Sequence, residues 1–145
     1  MISQNFLSTL CGVLCVTFYL NVQGQVVAPN FSIIGKGGES AIQLLEKAKS
    51  GIYPNQVSLD VSTNGVIYGF TCEYEGKQEI FDQLKAQIRA AMTAPLRVEQ
   101  TNLVVWRNEQ RKFSVQLSYM RLPSEEDEKK VRVIAISIDK AVRSR

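Results

Sequence analysis

The sequence predicts a single α+β domain in which two helices pack on a mainly antiparallel sheet of about five strands. One observation behind this is the dipeptide Asn64-Gly65, a strong hairpin signal that joins two stretches of alternating apolar and polar residues. Another is the helical spacing of apolar residues between positions 78 and 93, and a third is the group of alternating stretches that follows them. Together they predict the order α-β-β-α-β-β-β.

Residues 1–24 are predicted to be an export signal. No charged side chain occurs before Lys36, and residues 6–20 form an apolar run. Val22 and Gly24 are small residues of the kind that signal peptidase accepts, so we expect cleavage between Gly24 and Gln25 and a secreted or periplasmic protein. The absence of Lys or Arg before the apolar run counts against this prediction. An uncleaved membrane anchor is the second alternative, although a spanning helix needs about 20 apolar residues and this run is shorter and interrupted by Ser8, Thr9, Gly12 and Thr17. A buried strand or helix is the third.

Residues 25–38 are predicted to be a flexible leader, because Pro29 and several glycines interrupt them. The folded domain is expected over residues 39–145. Its first element is predicted to be a helix over residues 39–50, with apolar residues on one side and Gly51 placed to end it.

The hairpin around Asn64-Gly65 has a register that can be predicted. A type I′ turn accepts positive φ angles at both residues and fixes which side chains face each other. The pairs expected on the apolar face are Thr63–Val66, Val61–Tyr68, Leu59–Phe70 and Val57–Cys72. The pairs expected on the other face are Ser62–Ile67, Asp60–Gly69 and Ser58–Thr71. Cys72 is therefore predicted to be buried.

The second half of the chain is predicted to hold a helix over residues 78–93, stopped by Pro95, and then three strands. Residues 96–107 and 112–122 are expected to pair. One register places Trp106 opposite Phe113, and the other pairs Val105 with Phe113 and turns Trp106 outward. The last strand, residues 131–139, is apolar on both faces, so we expect it to be central or covered by helices on both sides.

Composition excludes several mechanisms. The chain has no histidine, which removes Ser-His-Asp and Cys-His catalysis and the commonest zinc and copper sites. Cys11 and Cys15 would leave with the signal, so Cys72 would be the remaining cysteine. The net charge of +3 is mild for a nucleic-acid binder. We therefore expect no metal, no cofactor and no nucleic-acid partner.

Carboxylates supply the remaining route to catalysis. A glycosidase-like acid and base would have to come from the acidic residues of the hairpin and second helix, Asp60, Glu73, Glu75 and Asp82. Asp60 and Glu73 are predicted to share the strand face that points away from the core, where solvated carboxylates are common. The acidic residues 125–128 lack the spaced ligands and the turn glycine of a calcium loop.

The tip of the second hairpin is the predicted binding site. Trp106, Arg107, Arg111 and Lys112 combine an aromatic ring with cations, a mixture suited to an acidic protein surface, a phosphate-bearing glycan or lipid headgroups. An open strand edge is a second candidate. The sequence thus favours a non-enzymatic secreted or periplasmic module that engages a protein or an envelope component. The alternatives are a small carboxylate-dependent hydrolase and a structural protein tethered by its uncleaved N-terminal segment.

Overall fold

Strand pairing determines the architecture. The computed structural model describes residues 24–45, 51–93, 96–121 and 128–139. The helical elements are a 3₁₀ helix at Phe31–Ile33, a second at Gly38–Gln43 and the α-helix α1 at Gln78–Met92. The strands are β1 (Gln56–Val61), β2 (Ile67–Glu75), β3 (Leu96–Gln100), β4 (Leu103–Asn108), β5 (Phe113–Arg121) and β6 (Lys129–Ser137). These strands form one antiparallel six-stranded sheet in the order β1-β2-β6-β5-β4-β3.

The α+β class and the antiparallel sheet are confirmed, but the strand count and element order predicted from the sequence are wrong. Residues 96–107 were expected to be one strand, whereas the chain turns at Thr101 and Asn102 and pairs Gln100 with Leu103. Two properties conceal this turn in the sequence. Thr-Asn is a much weaker turn signal than Asn-Gly. Strand β3 is also exposed along its whole length, so no burial pattern marks its end.

The predicted first helix is also corrected. In its place the structure has a 3₁₀ helix at Gly38–Gln43, and Leu45 already forms an antiparallel bridge with Pro29. The remainder of that prediction, residues 46–50, lies outside the described residues. A 3₁₀ helix has poorer hydrogen-bond geometry than an α-helix and occurs in short pieces, consistent with its role here as a connector.

Residues 25–38 are not a flexible leader. Phe31 and Ile33 are buried, and the Phe31 ring stacks between Phe70 and Phe113 at centroid distances of 5.8 and 6.0 Å. Val26 is also buried. Proline and glycine in this segment create its turns, while the apolar residues between them complete the core. Residues from Val26 onward are therefore part of the folded unit.

The first hairpin follows the predicted register over most of its length. Val57–Cys72, Ser58–Thr71, Leu59–Phe70 and Asp60–Gly69 pair as expected. The turn differs from a type I′ turn, because Gly65 has a positive φ of 76° and Asn64 does not. The pairs predicted nearest the turn, Thr63–Val66, Ser62–Ile67 and Val61–Tyr68, are therefore wrong: an irregularity after Asp60 pairs Val61 with Ile67.

That irregularity has a packing consequence. The N–H of Ser62 donates to the carbonyl of Val66 at 2.9 Å, so the loop holds three residues, Thr63, Asn64 and Gly65, and is longer than a two-residue turn. The extra residue in β2 is then accommodated as a bulge. As a result, both Ile67 and Phe70 are completely buried, although strict alternation would place them on opposite faces.

The second hairpin adopts neither predicted register. Asn108 pairs with Phe113 and Trp106 pairs with Val115, because β4 extends further toward the tip than either interpretation assumed. Trp106 points into the core. The Asn108 side chain is held at both ends: its Nδ2 donates to the carbonyl of Met92 at 3.2 Å, and its Oδ1 accepts from the N–H of Arg111 at 3.0 Å.

Strand β6 is central, as its sequence predicts, because it pairs with both β2 and β5. Val131, Val133 and Ala135 are buried on the face covered by α1, which we call the covered face. Ile134 and Ile136 lie on the opposite face and are only partly buried. Helix α1 contributes the other half of the core through Ile80, Phe81, Leu84, Ile88 and Met92.

Candidate binding surface

The face of the sheet opposite α1, which we call the open face, is organised in cross-strand rows. The register places one row of mostly uncharged side chains across the whole sheet: Ser58, Thr71, Ile134, Gln116, Val105 and Val98. The row nearest the β4–β5 tip is Asp60, Gly69, Ile136, Ser114 and Arg107. The row on the other side is Gln56, Glu73, Arg132, Ser118, Leu103 and Gln100.

An ion pair occupies the open face between β2 and β6. Arg132 donates to Glu73 Oε1 from both Nε, at 3.0 Å, and a terminal nitrogen, at 2.6 Å. Lys130 Nζ lies 3.8 Å from the other carboxylate oxygen. The Glu73 side chain keeps only 14% of its exposure, so this carboxylate is held and neutralised by its neighbours. Beside it, the hydroxyl of Ser118 is buried without a hydrogen-bond partner among the described residues.

The hairpin carboxylates do not form an acid and base pair. Asp60 and Glu73 share the open face as predicted, but Asp60 lies opposite Gly69 and Glu73 opposite Gln56. Four residues of strand separate these positions, or about 13 Å at the usual rise. Glycosidase carboxyl groups lie about 5 to 10 Å apart. Glu73 is also engaged by Arg132, so this pair does not support hydrolysis.

The other candidate carboxylates have structural partners. Asp82 accepts a hydrogen bond from Nε2 of Gln78, one turn earlier on α1, at 3.0 Å. Glu75 lies 3.4 Å from the Lys77 ammonium, in an exposed pair. The acidic residues 125–127 lie outside the described residues. Asp82 and Glu75 are thus each held by a neighbouring side chain on an exposed surface.

The predicted binding residues divide into one buried residue and three exposed ones. Trp106 is 1% exposed and packs inside the core, so it is not available to a ligand. Arg107, Arg111 and Lys112 are exposed at the β4–β5 end. Arg97 joins them, because the unpredicted β3–β4 turn folds β3 back beside the tip. We call the set Arg97, Arg107, Arg111 and Lys112 the basic tip.

Within the basic tip, Glu109 is shared by two arginines. Its Oε1 lies 2.6 Å from Nε of Arg107 and 3.5 Å from a terminal nitrogen of Arg97. Both contacts are about half exposed, where an ion pair contributes little to stability. One carboxylate between two arginines leaves local positive charge uncompensated.

Arg111 and Lys112 form no ion pair with any described residue. The Arg111 guanidinium lies 5.2 Å from the centroid of the Phe113 ring, which orients it across the end of the sheet. Lys112 has a φ of 60°, and its carbonyl accepts hydrogen bonds from the N–H of Ile138, at 2.9 Å, and from Ser137 Oγ, at 3.3 Å. These contacts fix the backbone while both charged groups point to solvent. The acidic residue Asp139 lies two positions after the end of β6, next to Ile138.

The opposite end of the sheet is more balanced in charge. Lys77 pairs with Glu75, and Lys130 lies between Glu73 and Glu128. An open groove of about 660 Å³ occurs at this end, lined by amide and apolar side chains and by Lys129: Gln78, Asn102, Leu103, Gln116, Tyr119 and Met120. The described residues of its lining include no carboxylate.

Cys72 is a free, buried thiol on the covered face, as the hairpin pattern predicts. Burial raises its pKa to about 12, so the thiolate that reacts with oxidants and metals is strongly disfavoured. Burial, followed by the charge of a Cys72 thiolate, also raises the pKa of the neighbouring Tyr74 phenol. Tyr74 donates to the carbonyl of Val27 at 2.7 Å, so its hydroxyl serves to hold the N-terminal segment on the core.

The described residues contain no group of three or more histidine, cysteine, aspartate or glutamate side chains placed to hold a metal ion. Within the same residues, none of the helices combines the length and the apolar character needed to span a bilayer. Comparisons with protein-family models, with curated proteins and with solved structures found no significant match.

Proposed function

We propose that this protein is an exported, non-enzymatic binding module that engages an acidic protein surface or envelope component through its basic tip. The observation that supports this most is the charge balance of the tip. Arg97 and Arg107 share Glu109, while Arg111 and Lys112 form no ion pair with a described residue. Positive charge concentrated on a rigid hairpin end favours an anionic partner.

The rigidity of the tip strengthens the proposal. Asn108 fixes the Arg111 backbone, and the end of β6 hydrogen-bonds to the carbonyl of Lys112. A partner therefore meets cations whose backbone is already ordered, which lowers the entropy cost of binding. A flexible basic loop would lack this advantage.

The export part of the proposal depends on residues 1–23, which lie outside the described residues. The structure bears on the position of the cut. Val26 is buried, and its N–H donates to Gln83 Oε1 at 2.9 Å while Gln87 donates to its carbonyl at 2.9 Å. Cleavage between Gly24 and Gln25 preserves both bonds. It removes a third contact, the hydrogen bond that the Gly24 carbonyl accepts from Gln83 Nε2 at 2.8 Å. A cut at this point therefore costs the fold little.

The tip is tested by replacing the two cations that form no ion pair with a described residue, Arg111 and Lys112. Arg111→Ser with Lys112→Asn removes both charges, and asparagine tolerates the left-handed backbone at position 112. We expect binding to phosphatidylglycerol-containing vesicles and to immobilised poly-glutamate to weaken by about 2 kcal/mol, or roughly thirtyfold at low salt. Co-sedimentation and surface plasmon resonance measure the two cases and separate a lipid from a protein-like anion.

The matched control is Lys77→Ser with Lys129→Ser, which removes the same charge from the opposite end of the sheet. Lys129 lies over the Tyr119 ring at 5.7 Å, much as Arg111 lies over Phe113, so the control also removes a comparable ring contact. Equal weakening by both double variants would show that net charge, not the basic tip, determines binding, and would contradict the proposal.

Export is tested separately by the intact mass and thiol content of protein made in a secreting host. A mass beginning at Gln25 and a single thiol in denaturant, that of Cys72, are expected. Full-length protein in the membrane fraction, with the three cysteines of the complete sequence, would contradict cleavage and favour the tethered alternative.

A further inference from the structure

The two edge strands of the sheet are protected to different degrees. An edge strand exposes unpaired backbone groups that can pair with another strand. Proteins usually prevent such pairing with charges, prolines or bulges at the edge. Strand β3 is guarded in this way, since it contains Arg97 and Glu99 and its pairing with β4 is irregular between Leu96 and Val98.

Strand β1 lacks most of these protections. Its residues carry one charge, that of Asp60, and the irregularity of the β1–β2 pair places the extra residue in β2, so β1 itself alternates regularly. No described residue pairs with its outer edge. Val57 and Val61 are 39% and 46% exposed on the side of the sheet that faces the core. An apolar strand edge is thus left open.

We propose that β1 pairs with β1 of a second copy of this chain, in antiparallel register about Leu59, to form a continuous twelve-stranded sheet from two six-stranded ones. The inference goes beyond the proposed binding function and does not depend on it. The sequence of β1 supports a second copy as the partner, because an antiparallel pair centred on Leu59 places apolar residues opposite apolar ones and polar residues opposite polar ones over positions 57–61.

In this register, each central side chain of β1 would lie opposite a compatible side chain of the second copy. Leu59 would lie opposite its own copy, and Val57 would lie opposite Val61 of the second chain, so apolar side chains meet on one face. On the open face, Ser58 would lie opposite Asp60 of the second chain, where a hydroxyl can donate to a carboxylate. No like charges face each other. A pair centred on Asp60 would instead place Asp60 opposite itself, and a slip of one residue from the Leu59-centred register would place it opposite Val57 or Leu59.

The same pairing around a two-fold axis repeats every contact twice, as symmetric dimers require. It leaves the basic tip free, because β4 and β5 lie on the far side of β6 from β1. The two open faces would lie on the same side of the joined sheet. A dimer of this kind would present two basic tips to an extended anionic partner.

The experiment uses charge complementation in the register. Sedimentation velocity should show that the wild-type domain forms a dimer with a dissociation constant below about 1 mM. Val57→Lys with Val61→Lys places lysine opposite lysine and should raise the dimer dissociation constant at least tenfold, as should Val57→Glu with Val61→Glu. Mixing the two variants should restore a heterodimer, since each lysine then faces a glutamate.

The matched control applies the same chemistry to the guarded edge. Leu96→Lys with Val98→Lys changes residues that are each 37% exposed on β3 and should leave the dimer intact. Cooperative thermal unfolding confirms that each variant is folded. A monomeric wild-type protein would overturn the proposal, as would a dimer that the β3 substitutions dissociate or a mixture of the β1 variants that fails to pair.

Discussion

The two faces of the sheet differ in what covers them, and this difference organises the molecule. The covered face is closed by α1 and by the N-terminal segment around Phe31, and most of its side chains on β2, β4, β5 and β6 are completely buried. The open face has no described layer above it and mixes uncharged rows with the Glu73–Arg132 ion pair. Alternation along β6 creates both faces from one apolar strand. Most of the stabilising packing therefore lies on the covered face, and the exposed surfaces are available for binding.

The largest expected effect distinguishes neighbouring residues at the end of β4. Trp106→Ala should lower the free energy of unfolding by about 4 kcal/mol, because it empties a large buried site. Arg107→Ala removes an exposed side chain and should change it by less than about 0.5 kcal/mol. Urea unfolding measures both, and similar losses would contradict the inward placement of Trp106.

A closer comparison uses identical residues on opposite faces. Val104 is completely buried, whereas its neighbour Val105 lies on the open face and is half-buried. Val104→Ala should cost about 2 kcal/mol and Val105→Ala about 0.5 kcal/mol. If Val105→Ala were as costly, another layer would have to cover the open face.

The third prediction concerns the contact that holds the N-terminal segment on α1. Gln83→Ala removes the acceptor that binds the N–H of Val26 and leaves that group without its partner. The expected loss is about 1 kcal/mol, measured by thermal unfolding of the mature domain. Gln78→Ala is the control on the same helix, because its amide bonds only within an exposed turn, to Asp82. An equal effect of both would mean that the N-terminal segment contributes nothing through this bond.

The smallest expected effect concerns the link between α1 and β3. Lys85, mainly through a hydrogen bond, lowers the pKa of Glu99; partial desolvation opposes this change and Arg89 adds to it. A lowered pKa in the folded protein adds stability above the unfolded pKa, and that stability is lost as the pH falls. Glu99→Gln should therefore lower the melting temperature slightly at pH 7 and have a diminishing effect below about pH 4. A constant difference across this range would contradict the assignment.

Local patterns predicted the parts of the fold that local chemistry determines. The first hairpin register was correct from Val57 to Asp60, and Cys72 was correctly placed inside, because alternation on two strands leaves little freedom. The turn at Gly65 was predicted in the right place but with the wrong type. A two-residue and a three-residue loop have nearly the same sequence pattern, but the longer loop changes the residue pairs beside it.

The remaining differences depend on contacts between distant residues. Phe31 lies in a segment rich in turn residues, and only its packing against Phe70 and Phe113 shows that the segment belongs to the core. The pairing of Glu73 with Arg132 requires β2 and β6 to be neighbours, which no local pattern indicates. Arg97 was missed at the tip because the β3–β4 turn was not predicted.

The most direct test of the proposed binding surface is a titration of the ¹⁵N-labelled mature domain with poly-glutamate, followed by amide chemical shifts. The basic tip should respond first, with the largest changes at residues 107–112 and at Arg97. Residues 75–77 and 128–130, at the opposite end, should shift little. Dominant shifts at that opposite end, or no shifts at low salt, would contradict the assignment of binding to the basic tip.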